Sequence, residues 1–123
     1  MAVKKFLIVE DDSVIRAVLM QLLHSIKIPV IGQADDAQSA ISLIKAKLPD
    51  VVLLDINLSG RDDGFEVLKF VRDQMPDTKV IMISAEATKD RVQEAIKEGA
   101  SGFIAKPVDI KKVKVLFKRL LQA

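Results

Sequence analysis

Val51-Val52-Leu53-Leu54-Asp55 is a run of four branched apolar residues closed by a carboxylate, and its reading decides the fold. A run that is apolar at every position, rather than at alternate ones, belongs to a strand covered on both faces. Three other short apolar runs also end on polar clusters: Phe6-Leu7-Ile8-Val9 before Glu10-Asp11-Asp12, Val80-Ile81-Met82-Ile83 before Ser84, and Phe103-Ile104-Ala105 before Lys106-Pro107. As parallel strands of one sheet they bring their carboxyl ends to a single edge, where open α/β folds place their ligand sites. Carboxylates, a hydroxyl and one ammonium then converge.

Between these runs the apolar pattern turns helical. Ile15, Val18, Leu19, Leu22, Leu23 and Ile26 follow helical spacing, with Asp12 or Ser13 as the cap. Pro29-Val30-Ile31 reads as a weaker second strand that continues or exits through Gly32 to Ala34. Ala37, Ala40, Ile41 and Ile44 form the buried stripe of a helix that stops before Pro49. Asp55 to Asp63 reads as a polar loop rich in turn residues, followed by a third helix marked by Phe65, Leu68 and Val71 that ends near Pro76. After the fourth strand at Val80 to Ile83, a helix from about Thr88 to Glu98 turns Val92, Ala95 and Ile96 inward and ends on Gly99, a residue suited to a left-handed cap. Gly102 to Ala105 is the fifth strand, and a last helix follows Asp109. Five βα units with such strands predict a parallel five-stranded sheet between helices, a doubly wound three-layer α/β fold. Residues 1–123 are expected to form a single domain without a long linker, low-complexity stretch or effector domain.

At 123 residues and 50% hydrophobic composition, the chain is the size of one domain and can bury a core. Its 19 Lys and Arg against 17 Asp and Glu leave a formal charge of +2, too weak a field to argue for nucleic acid or membrane binding. Without cysteine there is no disulfide framework and no thiolate metal site. Met1-Ala2-Val3-Lys4-Lys5 leads into only four strongly apolar residues before the acidic cluster, too short for a signal-peptide core or a membrane span. A soluble, cytoplasmic protein is expected.

Glu10 and Asp11, joined by Asp55 across the sheet, gather three like charges that repel unless a cation lies among them. An all-oxygen set favours a hard divalent ion, and Mg²⁺ suits a pair of carboxylates with a backbone carbonyl, waters and a phosphoryl oxygen. Lys106 could neutralise phosphoryl oxygens beside such an ion, and Ser84 could donate to another. Each residue alone has a plainer reading. Acidic residues after a strand cap the next helix, strands exit into turns at Asp, and Ser and Lys-Pro open loops. His24, the sole histidine, reads as a structural or surface residue, and the methionines as core filler. In the last helix Lys111, Lys112, Lys114, Lys118 and Arg119 flank the apolar Ile110, Val113, Phe117 and Leu120; a solvated basic face is favoured over a dedicated partner surface.

Taken together, four separated landmarks resemble the receiver domains of two-component response regulators over the whole chain. They are Phe6-Leu7-Ile8-Val9-Glu10-Asp11-Asp12, Val51-Val52-Leu53-Leu54-Asp55-Ile56-Asn57, Ile81-Met82-Ile83-Ser84-Ala85 and Gly99-Ala100-Ser101-Gly102-Phe103-Ile104-Ala105-Lys106-Pro107. The resemblance, to the CheY-like stand-alone kind, implies a flavodoxin-like (βα)5 sandwich of strand order 2-1-3-4-5. It implies that Asp55 is the phosphorylated aspartate and that Glu10, Asp11, Asp55 and Asn57 form the Mg²⁺ site, Asp11 as a direct ligand and Asn57 through its carbonyl. Asp12 then falls to capping. Ser84 would be the hydroxyl that moves onto the phosphoryl group, Lys106 the ionic partner, Phe103 the aromatic switch residue, and Lys106-Pro107 a cis bond.

The function this resemblance implies is a phosphorylation-activated switch. Asp55 would take a phosphoryl group from a sensor histidine kinase or histidine phosphotransfer protein, or from a small donor such as acetyl phosphate, with Mg²⁺ required. The face of the fourth helix, fifth strand and fifth helix would then shift to control binding of a downstream target, and hydrolysis would reset the switch at a rate that Asn57 and Glu86 help set. The same resemblance implies no enzyme activity beyond the chain's own phosphorylation and dephosphorylation. It also implies no membrane insertion, no direct nucleic acid binding, and a monomer or a phosphorylation-dependent dimer.

Two departures stand out. Ser59 stands where the family usually has proline, and the loop Asn57-Leu58-Ser59-Gly60-Arg61-Asp62-Asp63-Gly64 is one residue longer before the glycine. Phe103 replaces the commoner tyrosine and lacks its hydroxyl. Rival functions fit less well. An aspartate-dependent phosphohydrolase needs a second Asp two residues after the nucleophile, where this chain has Asn57. A flavin module of flavodoxin type needs a hydroxyl- and glycine-rich phosphate loop where Glu10-Asp11-Asp12 would repel phosphate. Against a phosphorylation-independent, receiver-like binding module stands the intact quartet Asp11, Asp55, Ser84 and Lys106.

Overall fold

The computed structural model of the protein describes residues 4–59, 61 and 63–122; Met1 to Val3, and Gly60 and Asp62 of the expected polar loop, lie outside the described residues. Among the described residues strands and helices alternate as β1 (Phe6–Val9), α1 (Ser13–Ser25), β2 (Val30–Ala34), α2 (Ala37–Lys47), β3 (Val51–Asp55), α3 (Asp63–Gln74), β4 (Lys79–Ser84), α4 (Lys89–Lys97), β5 (Gly102–Ala105) and α5 (Ile110–Gln122). The strands form one sheet in the order β2-β1-β3-β4-β5, and every pairing is parallel. This is the doubly wound α/β arrangement that the uninterrupted apolar strands predict.

Strand side chains alternate between two cores, as a pleat requires. Leu7, Val9, Val52, Leu54 and Met82 face a layer built from α2, α3 and α4, where Ile44, Leu68 and Ala95 are buried. Phe6, Ile8, Leu53, Ile81 and Ile83 face the opposite layer of α1 and α5, with Leu19, Leu23 and Phe117. The Phe6 and Phe117 rings meet edge to face, 5.3 Å between centroids. Both faces of the central strands are therefore dry.

Helix starts follow from capping. Asp12 accepts from the N–H groups of Val14 and Ile15, Asp36 from Ser39, and Thr88 from Arg91. Asp109 accepts from Lys111 N–H at 2.9 Å. Each such cap stabilises its helix by about 1 kcal/mol. Gly99, at φ +112, turns the chain after α4, where a side chain would be strained.

Several expected inward residues point outward instead. Val18 is 43% exposed, Ile96 49% and Ile110 51%. Val18 and Ile96 sit beside buried Leu19 and Ala95, one residue round the helix, so they fall on the flank of an arc only wide enough for their neighbours. Ile110 begins α5, before the helix reaches the sheet. The expected polar loop after β3 also feeds the core: Ile56 and Leu58 are fully buried. Among the described residues no helix is long and apolar enough to cross a membrane.

Candidate functional site

Backbone ladders carry the polar residues to one place. Beyond β1, Glu10 N–H donates to Ala34 O at 3.0 Å, so Glu10 continues the sheet with its side chain wholly buried. Asp55 is the last residue of β3 and is also buried. Ile56 N–H then bonds Ile83 O at 3.0 Å, and Lys106 N–H bonds Ser84 O at 2.9 Å, which prolongs the β4 and β5 pairings to the edge. Because β1 and β3 are neighbours whose connections run to opposite sides, the carboxylates sit at the switch point of the sheet, where ligands bind in such folds.

Glu10, Asp11 and Asp55 each offer a carboxylate oxygen, and these oxygens all lie within 4.8 Å of one another. Lys106 Nζ approaches Oε1 of Glu10 at 2.9 Å and Oδ2 of Asp55 at 3.4 Å. Burial, reinforced by the hydrogen bond to Asp55, pushes the Glu10 carboxyl up to about 7 despite the nearby ammonium. Burial disfavours the charged Lys106, but the contacts to Glu10 and Asp55 outweigh it and raise its pKa above the ordinary lysine value. At Asp11 burial also works against charge, yet the donated Ser59 N–H and neighbouring hydrogen bonds hold the pKa below the usual aspartate value. One lysine thus faces three carboxylates, a surplus of negative charge that a hard cation with oxygen ligands fits.

The remaining expected residues lie on β4, on β5 and on the loop after β3. Asn57 is half-buried, and its N–H donates to Oδ1 of Asp55 at 3.2 Å. Ser84 is buried at the end of β4, and its Oγ accepts from Glu86 N–H at 3.0 Å. Phe103 is half-buried on β5 and lines a groove of about 340 Å³ with Val92, Pro107, Lys112 and Leu116. The Lys106-Pro107 peptide is cis. Glu10-Asp11-Asp12 divides by residue: Asp12 caps α1, while Glu10 and Asp11 each bring a carboxylate oxygen to the cluster.

Three contacts at the site were not read from the sequence. Arg16, in the first turn of α1, reaches back past the helix start to donate its guanidinium to Glu10 O at 2.7 Å. Gly64, at the start of α3, packs on the backbone where β3 exits, and its N–H bonds Ile56 O at 2.9 Å. Ser59 donates its N–H to Asp11 Oδ2 at 3.0 Å. Two backbone donors, one missing side chain and an arginine bound to a main-chain carbonyl leave no motif to read.

Comparison with known proteins agrees with this fold. The response regulator receiver domain family matches residues 6–118. The chain is 33% identical over 122 residues to the chemotaxis protein CheY-3 of Vibrio cholerae, covering 94% of this chain and 93% of that protein. It is 41% identical over 101 residues to the transcriptional regulatory protein NarL of Mycobacterium tuberculosis, covering 80% of this chain but only 46% of NarL, so it spans about half of that relative's length. The solved receiver domain of NtrX from Brucella abortus superposes with a TM-score of 0.87 at 32% identity, covering 96% of this chain and 98% of that one. Receiver domains act in signalling with histidine kinases and phosphotransfer proteins rather than as classical enzymes. The fold, the match along nearly the whole chain and these relatives lead to one conclusion: the chain belongs to the response regulator receiver domain family of two-component systems.

Proposed function

We propose that this chain is a phosphorylation-activated switch whose phosphoacceptor is Asp55, loaded by a sensor histidine kinase, a histidine phosphotransfer protein or a small acyl phosphate. The observation that carries this reading is Lys106 Nζ held 3.4 Å from Asp55 Oδ2 within a cluster of three carboxylates at the sheet edge. An Asp55 oxygen attacks the donor phosphorus: with phosphohistidine whose ring is already protonated the P–N bond breaks and neutral imidazole leaves, and with an acyl phosphate the P–O bond breaks and the carboxylate leaves. Mg²⁺ held by Asp11, Asp55 and the Asn57 carbonyl, with Glu10 behind, would screen the charge shared by carboxylate and phosphoryl group. Lys106 already lies beside Asp55 and turns to the phosphoryl oxygens as they arrive.

The output follows from the same contacts. Phosphorylation adds roughly one and a half to two negative charges beside Ser84 and Lys106. Ser84 Oγ accepts from Glu86 N–H, so its own proton is available to a phosphoryl oxygen. Drawing Ser84 and Lys106 inward relieves the space next to Phe103 on β5, and the face of α4, β5 and α5 shifts between two states to control target binding. The groove beside Phe103 supplies room for that change. Beryllofluoride with Mg²⁺ tests the reading by amide NMR. It should perturb Ser84, Phe103 and Lys106 together with α4 and α5 in the native chain and leave Asp55→Asn unchanged; an unperturbed native spectrum would contradict the proposal.

A further inference from the structure

Ser59 is the participant that the reaction above leaves without a role. Its N–H spans 48 residues of sequence to reach Asp11 Oδ2 at 3.0 Å, and its φ is +55, in the left-handed region. That conformation is strained for a residue other than glycine, so it persists because its surroundings impose it. Two contacts do so. Leu58 is fully buried beneath the loop, and Arg61 N–H closes a turn onto Leu58 O at 3.1 Å, with Ser59 at the first central position. Within this turn the Ser59 N–H meets Asp11.

Asp11 needs such a partner more than its neighbours do. Glu10 and Asp55 are buried and set by packing, whereas Asp11 is exposed and its carboxylate is free to swing into water unless something holds it. We infer that the Ser59 backbone amide is a positioning group for Asp11, holding one carboxylate oxygen so that the other stays turned toward Glu10 and Asp55 for a divalent cation. This rests on the reading of those three carboxylates as the cation site. Loss of a hydrogen-bond partner behind a metal ligand weakens metal binding about 10- to 100-fold.

The test is Mg²⁺ titration by calorimetry on the native chain, Ser59→Gly and Ser59→Pro, with amide hydrogen exchange at residue 59. Proline lacks the N–H and fixes φ near −65°, so Ser59→Pro should weaken the Mg²⁺ Kd about tenfold. Ser59→Gly keeps the donor without the strained φ and should bind at least as tightly as the native chain. In the native chain, saturating Mg²⁺ should leave the Ser59 amide as protected from exchange as before, or more so; that measurement decides even if Ser59→Pro does not fold. Equal affinity in Ser59→Pro, weaker binding in Ser59→Gly, or loss of protection on adding Mg²⁺ overturns the role of Ser59 alone. A native chain that binds no Mg²⁺ overturns the cation site itself, and this inference with it.

Discussion

Lys106 is bound more closely to Glu10 than to Asp55: its ammonium lies 2.9 Å from Glu10 Oε1 and 3.4 Å from Asp55 Oδ2. Glu10 is wholly buried, while the lysine side chain keeps 17% of its surface exposed. In this structure, therefore, the lysine chiefly neutralises a carboxylate that cannot reach water, and it stands beside Asp55, the phosphoacceptor of the proposed function.

Removing that ammonium strands two buried carboxylates. Lys106→Ala should lose on the order of 3 kcal/mol of unfolding free energy near neutral pH without divalent cation. Added Mg²⁺ should restore part of it, since a cation that binds only the folded state stabilises it. Urea melts with and without Mg²⁺ check both statements, and an unchanged midpoint in the absence of Mg²⁺ would show that Glu10 is not relying on the lysine.

The raised Glu10 carboxyl makes stability depend on pH. Its pKa of about 7 in the folded chain lies above the ordinary 4.5, so between these values the folded state holds a proton that the unfolded chain has released. This contribution is fully present below pH 4.5 and is lost as pH rises through about 7. Without divalent cation, the unfolding free energy of the native chain minus that of Glu10→Gln should fall by up to about 3 kcal/mol across this window, then level off. A difference that rises with pH instead would contradict the burial of Glu10.

Gly64 has no room for a side chain. A Cβ there would meet Asp55 O, Ile56 Cα at 2.7 Å and Ile56 O at 2.8 Å, all backbone at the exit of β3. Gly64→Ala should destabilise the fold by about 2 kcal/mol or more, because no flexible side chain can yield. It should also slow phosphorylation by moving Asp55. Thermal melts and phosphorylation rates of this variant measure the two effects separately.

Much of the frame was legible because the apolar runs at β1, β3 and β4 have no polar position to mislead, and because Asp12, Thr88 and Asp109 announce their helices. β2 was weaker since it is an edge strand, half-exposed over most of Val30–Ala34. Val18 and Ile96 misled because helical spacing marks an apolar side of a helix but not the width of the arc a sheet can cover. At the site, the side chains Glu10, Asp11, Asp55, Ser84 and Lys106 were readable from their place after strands. The Ser59 amide and the tight seat of Gly64 were not, because both depend on backbone geometry set by residues far along the chain.

The central claim is that Asp55 accepts the phosphoryl group, and intact-protein mass after incubation with acetyl phosphate tests it most directly. The native chain should gain the mass of one phosphoryl group only when Mg²⁺ is present, and Asp55→Asn should gain none. A native chain that gains nothing with Mg²⁺, or an Asp55→Asn chain that gains as much as the native one, would contradict it.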